Sequence, residues 1–325
     1  MSASIFWTLA PRGDRGRGEW QGRGLKRAPG WQRDEREGRF GPYDHLFQVA
    51  RAAEISGFEG AFIPWEPAGE DPWIVASSLA REVRGLVFLP EIQPAFATPV
   101  YLAKLSASFE RLARNRLGWK IDVERDPAVR RAHGDFLEGA EWFQRADEYL
   151  VAAKGVWSTH PFDFRGRFYD VEAGGLDGPL SKLPPPPIYT SGGSADALEL
   201  AAKHAAVHLV APGPVGAVRV AIARLNEAAS RHGRSVAPGL RLTVAARHTA
   251  EEAAVAAQRS GTVPDLVGDF GFVAARLEEL AALGVERFIL DASPQVEEAY
   301  RLGEHLFPRL SFRARAGRNV ISRAV

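Results

Sequence analysis

The stretch IYTSGGSADALELAAKHA (188–205) holds the most suggestive chemistry in the chain. A short β-rich run ends in Ser191-Gly192-Gly193-Ser194, and a helical pattern begins at once. Glycines at such a junction let backbone N–H groups come close to an anion. A helix N-terminus adds favourable potential, and the Ser194 hydroxyl can cap the helix or donate to a phosphate. Spacing alone leaves two readings open, a phosphate site and a plain tight turn with a serine cap. Arg241 stands inside another β-rich run, LRLTVAAR (240–247). Burying an arginine on a strand is unfavourable unless it meets an anion or a carboxylate. Arg241 is therefore a candidate for binding an anionic ligand, or for an internal ion pair with Asp122 or Asp291. Glu66, Glu70, Asp71, Asp122 and Glu124 follow other β-rich runs. There a carboxylate pair for proton transfer competes with capping and surface roles.

Other chemistries are disfavoured by residue type. The chain has no Cys, which excludes disulfides, thiolate metal sites, iron–sulfur clusters and thiol nucleophiles. His204 and His208 are four apart, but they straddle a helix end and the next strand, without the glutamate of an H-E-x-x-H pair. The remaining histidines form no cluster, and no metal site is expected. No G-x-S-x-G elbow is present, which argues against a covalent serine hydrolase.

The elements that must position these residues alternate from end to end. β-rich runs at 4–10, 58–64, 86–93, 118–123, 188–192, 207–211, 240–247 and 287–291 are each followed by an amphipathic segment. Eight such units over 325 residues predict a single (β/α)8 barrel spanning 1–325, with its chemistry on the loops after the strands. A doubly wound open sheet is the runner-up, weakened because no G-x-G-x-x-G follows the first strand. Long insertions are expected after strands one, four and seven. The first, 11–41, is rich in Gly and Arg and reads as a mobile lid or a solvated insertion. The second, 162–187, starts with a hairpin around Arg165-Gly166. The third, 249–268, is another lid candidate, and 311–325 reads as a flexible tail or an arm onto a neighbouring subunit. Lys plus Arg is 41 and Asp plus Glu 40, a balance that disfavours nucleic-acid binding by bulk charge and a polybasic membrane surface. With no apolar run near 18 residues and no signal-peptide pattern, the chain is expected to be cytoplasmic.

At the level of whole motifs the chain resembles the flavin-dependent alkanesulfonate monooxygenases of the bacterial-luciferase-like superfamily. The likeness lies in IFWTLAPRGD (5–14), GFEGAFIP (57–64), GEDPWIVAS (69–77) and QPAFATPVYLAKLSASFERL (93–112). It continues in PPPIYTSGGSADALELAA (185–202), DLVGDFGFVAARLEELAALGVERFIL (265–290) and VEEAYRLGEHLFP (296–308).

The resemblance implies a barrel that binds reduced FMN, uses O2 and inserts one oxygen atom into a small organic substrate, which could be a sulfonate or another anion. It further implies an NAD(P)H-dependent flavin reductase as partner and a homodimer or homotetramer. The phosphate would fall on Ser191, Gly192, Gly193 and Ser194, and the isoalloxazine near Pro94, Trp119 and Lys120. Arg241 and Arg259 match positions that hold an anionic group or the flavin peroxide. Several other positions depart from the sulfonate enzymes. Arg12 stands where they have His, Gly69 for Cys, Lys120 for Asn, Val123-Glu124 for Thr-Gly, Trp142-Phe143 for Arg-Tyr, Ala211 for Trp, Thr243 for His and Ser293 for Tyr. Two alternatives accompany this expectation: an F420-dependent oxidoreductase of the same fold, and a non-catalytic flavin-binding protein.

Overall fold

The structure, a computed structural model, describes residues 2–13, 41–259 and 263–316. Its strands are β1 (Ser4–Thr8), β2 (Gly60–Ile63), β3 (Val87–Ile92), β4 (Trp119–Ile121), β5 (Phe162–Arg165), β6 (Asp170–Gly174), β7 (Ile188–Ser191), β8 (Val207–Val210), β9 (Ala237–Arg247), β10 (Leu266–Asp269) and β11 (Arg287–Asp291). The helices are α1 (Pro42–Ile55), α2 (Pro72–Leu79), α3 (Pro99–Ala113), α4 (Pro127–Ala132), α5 (Glu141–Ser158), α6 (Ala195–His204), α7 (Val215–Arg231), α8 (Ala250–Arg259), α9 (Phe270–Ala282), α10 (Gln295–Arg301) and α11 (Ser311–Ala316). The fold is a (β/α)8 barrel. The eight expected strands are β1, β2, β3, β4, β7, β8, β9 and β11; β5, β6 and β10 are additions carried by the insertions.

Two compact units are distinguishable. One takes in Met1–Phe88, Val210–Val220 and Ala237–Val325, and the other Leu89–Leu209 and Ala221–Val236. In the first unit β1 lies parallel between β11 (Trp7↔Leu290) and β2 (Trp7↔Ala61). Along β9, β11 is in register with Gly239–Thr243 and β10 with Val244–Arg247. Ile5, Trp7, Leu9, Leu240, Phe288, Ile289 and Leu290 are fully buried. Gly60 is required here because a Cβ would come within 2.6 Å of the Phe6 ring. In the second unit β4 lies parallel between β3 (Glu91↔Lys120) and β7 (Lys120↔Tyr189), and β7 continues to β8 (Thr190↔His208). The β5–β6 hairpin is antiparallel, with Arg165 opposite Asp170.

The helices start where local chemistry directs. Asp71 Oδ1 accepts from the Trp73 and Ile74 amides at 2.9 and 3.2 Å, with Pro72 as the first helical residue of α2. Thr98, Asp126 and Asp269 cap α3, α4 and α9 in the same way. Side-chain acceptors at these positions satisfy amides that have no partner inside the helix.

Two sequence expectations need revision. The 249–268 segment is largely structured, as α8 and β10, because its Ala-rich run has high helix propensity. Ser311–Ala316 of the presumed tail is helical. Phe312 there is buried against Phe288 at 5.7 Å, and Arg313 donates to the Gly57 carbonyl. Residues 14–40, the bulk of the first insertion, and 317–325 lie outside the described residues.

Glu110, on α3, is 3% exposed, and burial pushes its carboxyl up to about 7 from an ordinary 4.5. Between those values the folded protein keeps a proton that the unfolded chain has released, so rising pH favours unfolding in that window. Glu110→Gln is expected to raise Tm by a few degrees at pH 8 and to change it little at pH 4.5, as read by differential scanning calorimetry. An equal shift at both pH values would show that the carboxyl does not titrate this way.

Candidate functional site

Strand alternation decides what the second unit presents inside. On β4, Trp119 and Ile121 point one way and Lys120 the other. Trp119 is fully buried on the helix side. Its Nε1 donates to Ser106 Oγ of α3 at 2.9 Å, and its ring meets Trp157 of α5 edge-on at 6.0 Å. Lys120 is 3% exposed. Its Nζ donates to the Ile121 carbonyl at 3.2 Å and approaches Glu91 Oε1 at 3.4 Å. Arg125 then bridges Glu91 Oε2 at 3.0 Å and Asp122 Oδ2 at 2.6 Å. Two cations and two carboxylates thus form one alternating chain, which compensates for the desolvation of buried charge. Of the expected ring contacts, Lys120 joins this polar cluster, whereas Trp119 packs the helix layer. Pro94 is buried, and its carbonyl accepts from Tyr169 Oη at 2.8 Å.

The Ser191–Ser194 turn follows β7 directly. Gly192 has φ +122°, a conformation that side chains of L-residues rarely adopt. A Cβ there would overlap the Glu124 carboxylate and lie 2.8 Å from Ala197 Cβ, whereas one at Gly193 would meet nothing within 4 Å. Ser194 Oγ accepts from the Ala197 amide at 3.1 Å and caps the ten-residue α6. An open glycine, a positive-φ glycine and a capped helix N-terminus together suit a phosphate. The exposed Glu124 side chain is the group that would have to swing aside.

Below the turn lies a contact that sequence reasoning missed. His208 is completely buried. Its Nδ1 is 2.8 Å from Thr190 Oγ1, and its Nε2 is 2.9 Å from the Gly192 carbonyl. Burial lowers the imidazole pKa to about 4, with Lys120 adding to the effect against the bond to Gly192. His208 is therefore neutral near pH 7; Nε2–H donates to Gly192, and Nδ1 accepts the Thr190 hydroxyl. The available sequence signal is parity, since Thr190 and His208 occupy paired positions on neighbouring strands and share a face. His204 is engaged elsewhere, at 2.7 Å from Asp147 Oδ1 and 2.8 Å from Lys154 Nζ. Among the described residues, no group of three or more His, Asp or Glu side chains is placed to hold a metal ion.

A further cluster in this unit centres on Asp135, which takes both guanidinium groups of Arg130 and Arg145, while Trp142 stacks under Arg130 at 3.9 Å. Trp142 belongs to the pair that departs from the sulfonate enzymes, and α4, which carries Arg130, is an element beyond the eight strand–helix units that the sequence predicts.

The first unit holds a cavity of about 220 Å³. Arg12, Glu66, Arg241, Arg247, Asp291 and Glu298 are its charged lining residues. Arg241 is not buried as an isolated cation. Its side chain is 43% exposed, its guanidinium lies 5.0 Å over the Phe62 ring, and Nη2 is 3.3 Å from Asp291 Oδ2. Arg247 Nη1 and Nη2 donate to the two oxygens of Glu298 at 2.9 and 2.7 Å. Gln295 donates to the Thr8 carbonyl at 2.9 Å and ties α10 to β1. Thr243 Oγ1 donates to Asp265 Oδ2 at 2.7 Å. Arg259 is exposed at the end of α8, and Ala256, three residues earlier, is the α8 residue that lines the cavity.

Within each unit polar groups stand just beyond the C-terminal ends of parallel strands, Asp122 after β4 and Gly192 after β7 in one and Ser293 after β11 in the other, where α/β barrels carry their chemistry. The chain belongs to the luciferase-like monooxygenase family, whose model matches residues 23–306. Among solved structures, a long-chain alkane monooxygenase is similar with a TM-score of 0.78 and 17% identity, over 96% of this chain and 92% of its own. The oxygenating constituent of 3,6-diketocamphane monooxygenase from Pseudomonas putida, in complex with FMN, is similar at 0.71 and 16%, over 95% and 99%. The coenzyme F420-dependent tetrahydromethanopterin reductase from Methanopyrus kandleri is similar at 0.71 and 14%, over 95% and 99%. At such identities the likeness is one of fold. Among the described residues, no helix is long and apolar enough to cross a membrane.

Proposed function

We propose that the protein is a two-component monooxygenase that receives reduced FMN from an NAD(P)H-dependent flavin reductase and inserts one atom of O2 into a small organic molecule with an anionic group. The observation that carries this reading is the open, positive-φ glycine turn at the start of α6 in a chain of the luciferase-like monooxygenase family. Reduced flavin, when bound, supplies the electrons that activate O2. The chain's own residues do the rest. Ser191, Gly192, Gly193 and Ser194 hold the phosphate with backbone donors and the potential of the helix terminus. Pro94 and Lys120 flank the ring, and Trp119 stiffens β4 from behind. In the other unit, Arg241 offers the substrate anion a guanidinium that Asp291 only partly neutralises. The cavity size, about 220 Å³, falls below the usual range for drug-sized ligands, which favours a small substrate.

Anaerobic titration with oxidised FMN, reduced FMN and F420 tests this. Reduced FMN is expected to bind at least about tenfold more tightly than oxidised FMN, and mixing that complex with oxygen and substrate should give substrate-dependent oxygen uptake. Tight F420 binding without affinity for reduced FMN would replace the proposal with a deazaflavin oxidoreductase. Stoichiometric flavin binding with no substrate-dependent uptake across anionic panels would indicate a carrier.

A further inference from the structure

We infer that His208 is a positioning residue for a phosphate-bearing cofactor, holding the Gly192–Gly193 peptide so that the Gly193 N–H faces the anion. This rests on the reading of the Ser191–Ser194 turn as a phosphate site. The peptide bond is planar and trans, so the carbonyl of Gly192 and the amide of Gly193 point in opposite directions. His208 Nε2–H holds that carbonyl from below at 2.9 Å, and the amide is thereby turned away from His208; a side chain at Gly193 would meet nothing within 4 Å, so the backbone there is open to approach. With glycine on both sides, the peptide has little steric resistance to flipping. A flipped peptide would present a carbonyl oxygen to the phosphate and repel it. The Glu124 carboxylate beside Gly192 already opposes an incoming anion, so the outward amide must be held rather than sampled. Thr190 completes the device. Its hydroxyl, 2.8 Å from Nδ1, donates to that nitrogen and leaves the ring proton on Nε2. The register pair Thr190↔His208 places the two side chains on adjacent strands, so the ring that holds the turn is itself fixed by the sheet.

The test uses the full chain and two probes that differ only in the phosphate, reduced FMN and reduced riboflavin, titrated anaerobically. His208→Phe keeps a ring of similar size but has no donor. It is expected to weaken FMN by about tenfold, the value of one hydrogen bond, and riboflavin by less than about twofold. His208→Gln, whose amide can donate to the Gly192 carbonyl, should recover FMN binding to within about threefold of the parent chain. Should His208→Phe fail to fold, Thr190→Val, which frees the ring to take the other tautomer, is expected to weaken FMN alone by a smaller factor. Equal weakening of both probes would reduce His208 to a packing role and overturn the inference, as would unchanged FMN affinity. A parent chain that does not distinguish FMN from riboflavin would overturn the phosphate reading itself, and this inference with it.

Discussion

Arg241→Ala is expected to lower kcat/KM by about 100-fold while leaving the affinity for reduced FMN within a few-fold. Removing one preorganised donor from developing or bound negative charge typically has an effect of this size. The geometry explains why the loss should fall on turnover. The guanidinium lines the cavity with 43% of its side chain accessible, and Asp291 meets it at one nitrogen, 3.3 Å away. Its remaining N–H groups are available to a substrate anion, and Phe62 beneath it fixes the plane. Arg241→Lys should recover only part of the loss, because an ammonium cannot present two parallel donors. Arg259 is exposed at the end of α8, so its charge acts at longer range, and Arg259→Ala is expected to lower kcat/KM by less than about fivefold. Steady-state kinetics with a supplied flavin reductase would read both variants. Near-normal turnover in Arg241→Ala would remove that residue from the substrate site.

Glu298→Ala is expected to cause the largest loss of stability. Glu298 is only 2% exposed and accepts two bonds from Arg247 and another from Arg301. Removing one partner of a buried ion pair costs about 3–5 kcal/mol, because the other charge is left uncompensated. For a chain of this length that corresponds to a fall in Tm of roughly 5–10 °C. Arg301→Ala removes a more exposed partner, 33% accessible, and should cost less than about 1 kcal/mol. Chemical denaturation of both variants would measure the difference. Similar small losses would mean that the Arg247–Glu298 pair is solvated in solution.

The sequence revealed the barrel because its signal is repetitive. A run such as FEGAFIP or RFILD is bounded by helical periodicity and recurs eight times, so an error in one unit leaves the count intact. The position of Ser191–Ser194 was legible for the same reason, since it lies at a strand–helix junction. Several features were hidden for physical reasons. Trp119 and Lys120 are adjacent, and only strand parity, fixed by pairing with Glu91 and Tyr189, sends one to the helices and the other to the charge cluster. His208 looked like half of a weak metal pair because its partners, Thr190 and the Gly192 carbonyl, are 18 and 16 residues away. β10 contains Gly268 and Asp269 and has only four residues, too few to show a period. α4 owes its start to Asp126 and Pro127, and its six residues are too few to show a helical period.

The pairing of β9 with β11 and then β10 along its length also bears on solubility. A strand of 11 residues that outruns its neighbour would leave a row of bare amides and carbonyls, which invites pairing with another molecule. By returning as β10, the chain gives that overhang a finished selvedge made from its own backbone. Part of the segment that reads as a lid candidate therefore also serves as an edge cover for β9.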